Sequence, residues 1–340
     1  MMSRRLSLAG LLVLAACNVQ RVQSSRSLGL DDHAAHMSAA QLRAPEVSRS
    51  AGPQQGTPGI PASNATAAAR LQGSNRHSEW VKIAWEPGSS DSLMAWVVYP
   101  AGRAKAPVVV VVHEIFGLST WVRGVADQVA AEGFIAIAPD FVSRVRGGPS
   151  AAEISGDSAR RIIGGVNPAE RNRAIVAAAN YAMVLPSAEP KYGVIGYCWG
   201  GQTVMNHAVH GGVAGYSGGV AYYGLTSYMT RGQPATATSP AVPSTFVVDS
   251  LAKIKTPLML LNGSTDTRIA AAMPALDSIM KSMKKDYVGI NYDGAEHGFL
   301  RQQNDPKATR NPAEEAANLA ASKDAWPKTV AFLKKNLGVR

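Results

Sequence analysis

Three residue types that do hydrolytic chemistry together occur in this chain in a telling order. Cys198 lies in Gly196-Tyr197-Cys198-Trp199-Gly200, Asp266 in Gly263-Ser264-Thr265-Asp266, and His297 in Glu296-His297-Gly298-Phe299. A cysteine flanked two residues away on each side by glycine fits a sharp strand-to-helix turn. There the nucleophile's side chain projects clear of a sheet, and its neighbours must lack a Cβ for the turn to close. At the start of a helix a thiol also feels the positive end of the dipole, which favours the thiolate. The backbone N–H of Trp199 would be placed to stabilise an oxyanion. His297 would take the thiol proton and return it to a leaving group, and Asp266 would orient the imidazole. Each residue also has an ordinary reading: a buried cysteine in a glycine-rich turn, an aspartate in a loop, a surface histidine. What points to chemistry is the order nucleophile, acid, histidine, each at the end of a predicted strand.

The elements that would carry these residues are legible from periodicity. Residues 80–85 alternate as a half-buried strand does, residues 93–99 read as a second strand, and Val108 to Val112 is five valines in a row, suited to a strand buried on both faces. Further strands fit residues 134–138, 192–195, 219–223, 257–261 and 288–292. Helical spacing fits 120–131, 168–183, a helix from Gln202, 270–283 and 314–337. Strand and helix alternating in this way predict the α/β class: an α/β-hydrolase fold, a doubly wound and mainly parallel sheet with helices on both faces. Sites in such sheets form at the carboxyl ends of the strands. Residues 226–250, rich in Pro, Ala, Thr and Ser, read as a loop or lid near the site, or as a surface insertion.

The motifs Gly-Tyr-Cys-Trp-Gly-Gly, His113-Glu114-Ile115-Phe116-Gly117, Pro139-Asp140-Phe141, Gly-x-x-Asp and Glu-His-Gly-Phe occur in that relation along residues 78–338. Together they resemble the dienelactone hydrolases, the carboxymethylenebutenolidases. The resemblance implies a hydrolase that opens an ester or lactone through a thioester on Cys198, acting on a small carboxylate-bearing substrate without metal or organic cofactor. It implies that Cys198, Asp266 and His297 are the triad, that Glu114 interacts with the cysteine, and that the N–H groups of Ile115 and Trp199 form the oxyanion hole. Arg144 and Arg301 fall where the family's substrate-carboxylate arginines lie, a task that suits a planar guanidinium. Tyr223 would line the pocket or the core. Independently of the resemblance, a carboxylate beside a thiol opposes thiolate formation unless it takes the proton itself. The alternatives are a broad carboxylesterase or thioesterase, and a tethered binding protein that keeps the fold without turnover.

The N-terminus has a different character. Arg4-Arg5, an apolar run too short to span a bilayer, and Leu14-Ala15-Ala16-Cys17 resemble a bacterial lipoprotein signal, with weaker likeness to a twin-arginine signal. On that reading residues 1–16 are removed, and Cys17 is acylated and anchors an exported protein to a membrane. Asn18 favours the outer membrane where there is one. Residues 17–76 carry no aromatic side chain and are expected to be a disordered tether, with 77–340 the hydrolase domain. His33 and His36 in that stretch are read as solvated rather than as metal ligands. The net charge of +10 is spread without a dense basic stripe, which argues against nucleic acid as a partner. With Cys17 otherwise occupied, Cys198 has no disulfide partner, and a monomer is expected.

Overall fold

In a computed structural model the described residues are 56–339, apart from 103, 149–155, 231, 233–238, 242 and 304–311. The expected lipoprotein leader, Cys17 and most of the expected tether therefore lie outside the described residues.

Eight strands form one sheet: β1 (Ser78–Ala84), β2 (Ser92–Val98), β3 (Ala106–Val112), β4 (Ile135–Asp140), β5 (Ala188–Tyr197), β6 (Tyr216–Tyr222), β7 (Leu258–Gly263) and β8 (Tyr287–Tyr292). Their spatial order is β1-β2-β4-β3-β5-β6-β7-β8. β1 and β2 run antiparallel to their neighbours, and all other pairs are parallel. The valine run explains the position of β3. Every residue of it is buried, as a central strand covered on both faces requires. β1, at one edge, alternates buried and exposed in its second half.

The helices are α1 (Ala67–Gln72), α2 (Thr120–Ala131), α3 (Ser143–Arg146), α4 (Gly156–Gly164), α5 (Pro168–Met183), α6 (Trp199–His210), α7 (Val248–Ala252), α8 (Thr267–Ser282), α9 (Phe299–Gln302) and α10 (Pro312–Leu337). On one face α2 and α10 are joined by the Trp326 indole N–H donating to Glu132 at 3.2 Å. On the other, α5 and α6 pack together. The start of α5 is written in the sequence: Asn167 and Glu170 form a reciprocal capping box ahead of Pro168. Sequence periodicity located the main strands and long helices but not the short α1, α3, α4, α7 and α9, which make too few turns to establish a pattern.

One expectation is overturned. Residues 57–76 are not a disordered tether but are folded onto the body. Ile60, Ala62, Ser63 and Ala67 are buried, and Arg76 pairs with the buried Asp127 of α2 through its Nε at 2.9 Å and Nη2 at 2.5 Å. The segment has little apolar surface of its own, so composition argued for disorder. It is held instead by backbone hydrogen bonds and by a pre-existing surface on α2. Of the 226–250 stretch, the described ends pair antiparallel at Met229 and Phe246. They are pinned to α6 by Asn206 Nδ2 donating to Ser227 Oγ at 2.7 Å and by a 3.0 Å contact between Tyr228 Oη and His210 Nε2.

Candidate active site

Cys198 stands between the last residue of β5 and the first of α6, with φ 55° and ψ −114°. A non-glycine residue held there stores on the order of 1–3 kcal/mol of backbone strain. The turn is fixed by Cys198 N–H donating to Tyr222 O and by Gln202 N–H donating to Cys198 O, both at 3.0 Å. The glycines follow from the closeness of the chain. A Cβ on Gly196 would lie 2.2 Å from Gly200 O, and one on Gly200 would lie 2.3 Å from Val112 O. α6 begins at Trp199 rather than Gln202, so the N–H of Trp199 is at the first helical position, where no intrahelical acceptor exists.

Asp266 caps α8, its Oδ1 accepting from Ile269 N–H at 3.4 Å. Its other oxygen, Oδ2, accepts from His297 Nδ1 at 2.6 Å. The two loops that bring them together are stitched: Thr265 N–H and Oγ1 both donate to Ala295 O at 3.0 Å, and Ser264 N–H donates to Tyr292 O at 2.8 Å. With Nδ1 committed to Asp266, Nε2 is the nitrogen left for Cys198, which lies close enough to raise the ring's proton affinity. Burial lowers the proton affinity of His297. The hydrogen bonds to Asp266 and Cys198 and the charges of both outweigh it, and the pKa rises to about 9. Asp266 is also raised by burial, yet the His297 hydrogen bond and charge hold it below the usual carboxylate range.

Glu114 follows β3 directly and is 2% exposed. Burial pushes its carboxyl up, opposed by the charges of Arg301 and His297. Arg301 Nε lies 3.1 Å from Glu114 Oε2 and 3.4 Å from Oε1, and only the Oε1 contact has hydrogen-bond direction. Next to Glu114, His113 is fully buried and stays neutral, its pKa lowered to about 4 by burial. Its Nε2 accepts from Phe141 N–H at 3.2 Å, so Nδ1 carries the proton and donates to Glu114 O at 2.6 Å. Its ring stacks on Trp199, centroids 5.7 Å apart. Tyr223 is fully buried at φ 38°, with its ring 5.0 Å from that of His297 and its hydroxyl without a hydrogen-bond partner among the described residues.

The structure thus brings together Cys198, His297, Asp266, Glu114, Arg301 and Tyr223. It does not bring Arg144 to them. That guanidinium lies 3.9 Å over the Trp85 ring, is bonded to Asp91 and stands 3.9 Å from Glu170. Two carboxylates and an aromatic face already occupy it, so the expected role in holding a substrate carboxylate does not fit its surroundings. Two cations that sequence reading passed over are closer. Arg160 of α4 and Arg301 both sit against Phe116, at 5.3 and 5.2 Å. Arg171 of α5 lies 4.4 Å over the Trp199 ring and donates to Gln202 Oε1 at 2.9 Å. Neither belongs to a motif, and only the helix packing reveals them. Among the described residues no cluster of metal-ligating side chains occurs, and no helix is long and apolar enough to cross a membrane.

A nucleophile elbow, an acid and a histidine at the ends of three parallel strands are matched by what the chain is similar to. Residues 93–337 match the model of the dienelactone hydrolase family. The chain belongs to the dienelactone hydrolase family. A Synechocystis protein provisionally named a carboxymethylenebutenolidase is 29% identical over 259 residues, covering 74% of this chain and 95% of that one. A Bradyrhizobium protein provisionally named a 2-oxo-3-(5-oxofuran-2-ylidene)propanoate lactonase is 26% identical, covering 76% and 94%. Among solved structures, a dienelactone hydrolase-type protein from Klebsiella pneumoniae superposes with a TM-score of 0.58 at 22% identity, covering 76% of this chain and 99% of its own. That likeness speaks to the fold, an α/β-hydrolase. Family and relatives make this chain a hydrolase acting on esters or lactones.

Proposed function

We propose that this hydrolase works through a thioester on Cys198 and prefers a small substrate that carries a carboxylate. The observation that carries the covalent step is His297, hydrogen-bonded to Asp266 and influenced by Cys198, which stands at a strained elbow. His297 Nε2 takes the thiol proton. The sulfur attacks the substrate carbonyl, and the N–H groups of Ile115 and Trp199 receive the developing oxyanion. The tetrahedral species collapses, breaking the C–O bond as His297 returns the proton to the departing alkoxide. Water then gives its proton to His297 and attacks the thioester, releasing the acid and restoring the thiol. With a pKa of about 9 the ring keeps a proton at neutral pH, which suits the transfer to the departing alkoxide.

The preference for a carboxylate is supported by Arg301 and Arg160, whose guanidinium groups both sit against Phe116. Arg301 is shared with Glu114, so an anionic substrate would draw on a charge already in place. Incubation with p-nitrophenyl acetate followed by acid quench and intact-mass measurement tests the covalent step. An acetyl adduct is expected on the native chain and not on Cys198→Ala. Equal turnover by the two proteins would end the thioester reading. For the leader, we propose acylation at Cys17 and anchoring to a membrane. Metabolic labelling with palmitate should need Cys17, and label retained by Cys17→Ser would exclude it.

A further inference from the structure

The segment before β1 does more than link the hydrolase body to its leader. Five buried or paired points fasten it beside the active site, and the segment lies outside the residues matched by the family model. Asn64 N–H donates to Arg301 O at 2.8 Å. Gln303 Nε2, on a side chain 1% exposed, donates to Pro61 O at 2.9 Å. Trp121 Nε1, on a ring 1% exposed, donates to Ala62 O at 3.0 Å. Arg70, from α1, donates back to the carbonyls of Thr57 and Ile60 and to Gln128 Oε1, locking the bend into a closed loop. Ser74 and Arg76 then clamp the segment's far end to the buried Asp127.

Two of these points lead to the chemistry. Arg301, whose carbonyl oxygen is held by Asn64, is the residue whose guanidinium meets Glu114. It sits on α9, a single turn of four residues that is too short to hold its own position. Trp121, held by Ala62, lies edge-on to Tyr197 at 5.0 Å, and Tyr197 precedes Cys198. A short turn gains a fixed place only from what it is bonded to, and here the strap bonds Arg301 itself and Gln303, two residues on.

We propose that residues 57–76 are a positioning element of this active site. The backbone at Pro61–Asn64 holds the turn that carries Arg301, sets the Glu114–Arg301 pair, and so tunes the choice between anionic and neutral substrates. The selectivity part rests on the function proposed above, whereas the mechanical part does not.

The test uses the full chain. Asn64→Pro removes the N–H that reaches Arg301 O at an exposed position. Gln303→Met removes the second bond by a different route, should the first variant fail to fold. Asn64→Ala keeps the N–H. Two readouts are taken: hydrogen exchange of the amides of residues 299–303, and the KM ratio for mono-p-nitrophenyl adipate against p-nitrophenyl acetate. The expected result is faster exchange and a roughly tenfold change in the KM ratio in Asn64→Pro or Gln303→Met. Under that result kcat on the neutral ester stays within about twofold, and Asn64→Ala keeps the native ratio. Unchanged exchange in both variants, or faster exchange with an unchanged ratio, overturns the proposal. If the native chain cleaves neither ester, the proposed function fails, and the exchange readout alone then decides whether the strap holds the turn.

Discussion

Replacing Asp266 by asparagine removes the charge of this pair while keeping its shape. Asparagine has one carbonyl oxygen, which can accept from His297 Nδ1 in place of Oδ2, and its NH2 then takes the place of the oxygen that caps α8 at Ile269. In the native protein the His297 pKa stands at about 9 against an ordinary 6.5. At about 1.4 kcal/mol per tenfold change in proton affinity, that difference is roughly 3 kcal/mol. The ring's side chain is 42% exposed, so solvent screening trims the share of Asp266 to about 1–2 kcal/mol. Asp266→Asn should therefore move the titration of His297 roughly one pH unit downward. The step that needs the imidazolium to protonate a leaving group loses rate as pH rises through about 9 in the native enzyme, and through about 8 in the variant. The assay is the pH profile of thioester formation under single turnover, with the imidazole Cε1 proton followed by NMR. The sign for stability follows from the same numbers. A raised histidine pKa favours folding fully below 6.5 and loses that effect as pH rises through about 9. A lowered Asp266 pKa favours folding above 3.8 and loses the effect as pH falls through its folded value. The Tm gap between the two proteins should thus be widest from about pH 4 to 6.5 and close toward alkaline pH. Identical alkaline limbs in both proteins would refute this account of the pair.

Three further outcomes follow from the geometry. Glu114→Gln removes the carboxylate that Arg301 shares, so the freed guanidinium should lower KM for an anionic ester several-fold, with little change for a neutral one; steady-state kinetics on the matched pair check this. Gly200→Ala would place a Cβ 2.3 Å from Val112 O and 2.6 Å from His113 O. Since both contacts are backbone, the variant should lose several kcal/mol or fail to fold, read by urea denaturation. Arg76→Ala leaves Asp127, 3% exposed in its side chain, without its cation, and a loss of about 3 kcal/mol is expected by the same measurement.

The sequence by itself marked the candidate nucleophile, acid and histidine, because each sits in a short motif at the end of a strand whose apolar pattern is strong. Cys198 needs Gly196 and Gly200 within two residues, and that local requirement is visible without a fold. It also located the buried centre of the sheet, since five successive valines have nowhere else to go. Only the tertiary structure decided what each candidate cation meets. Arg144 and Arg301 stand at equally suggestive places in the sequence, yet Arg144 meets Asp91 and Glu170 while Arg301 meets Glu114. Arg160 and Arg171 came into view only through the aromatic rings they pack on. A guanidinium on a long side chain takes its partner from whatever lies within several ångströms in space, and chain position does not encode that. The same reason hid the strap. Residues 57–76 lack the apolar content to order themselves, and their order comes from acceptors and donors on α2 and α9 that the linear sequence does not show beside them.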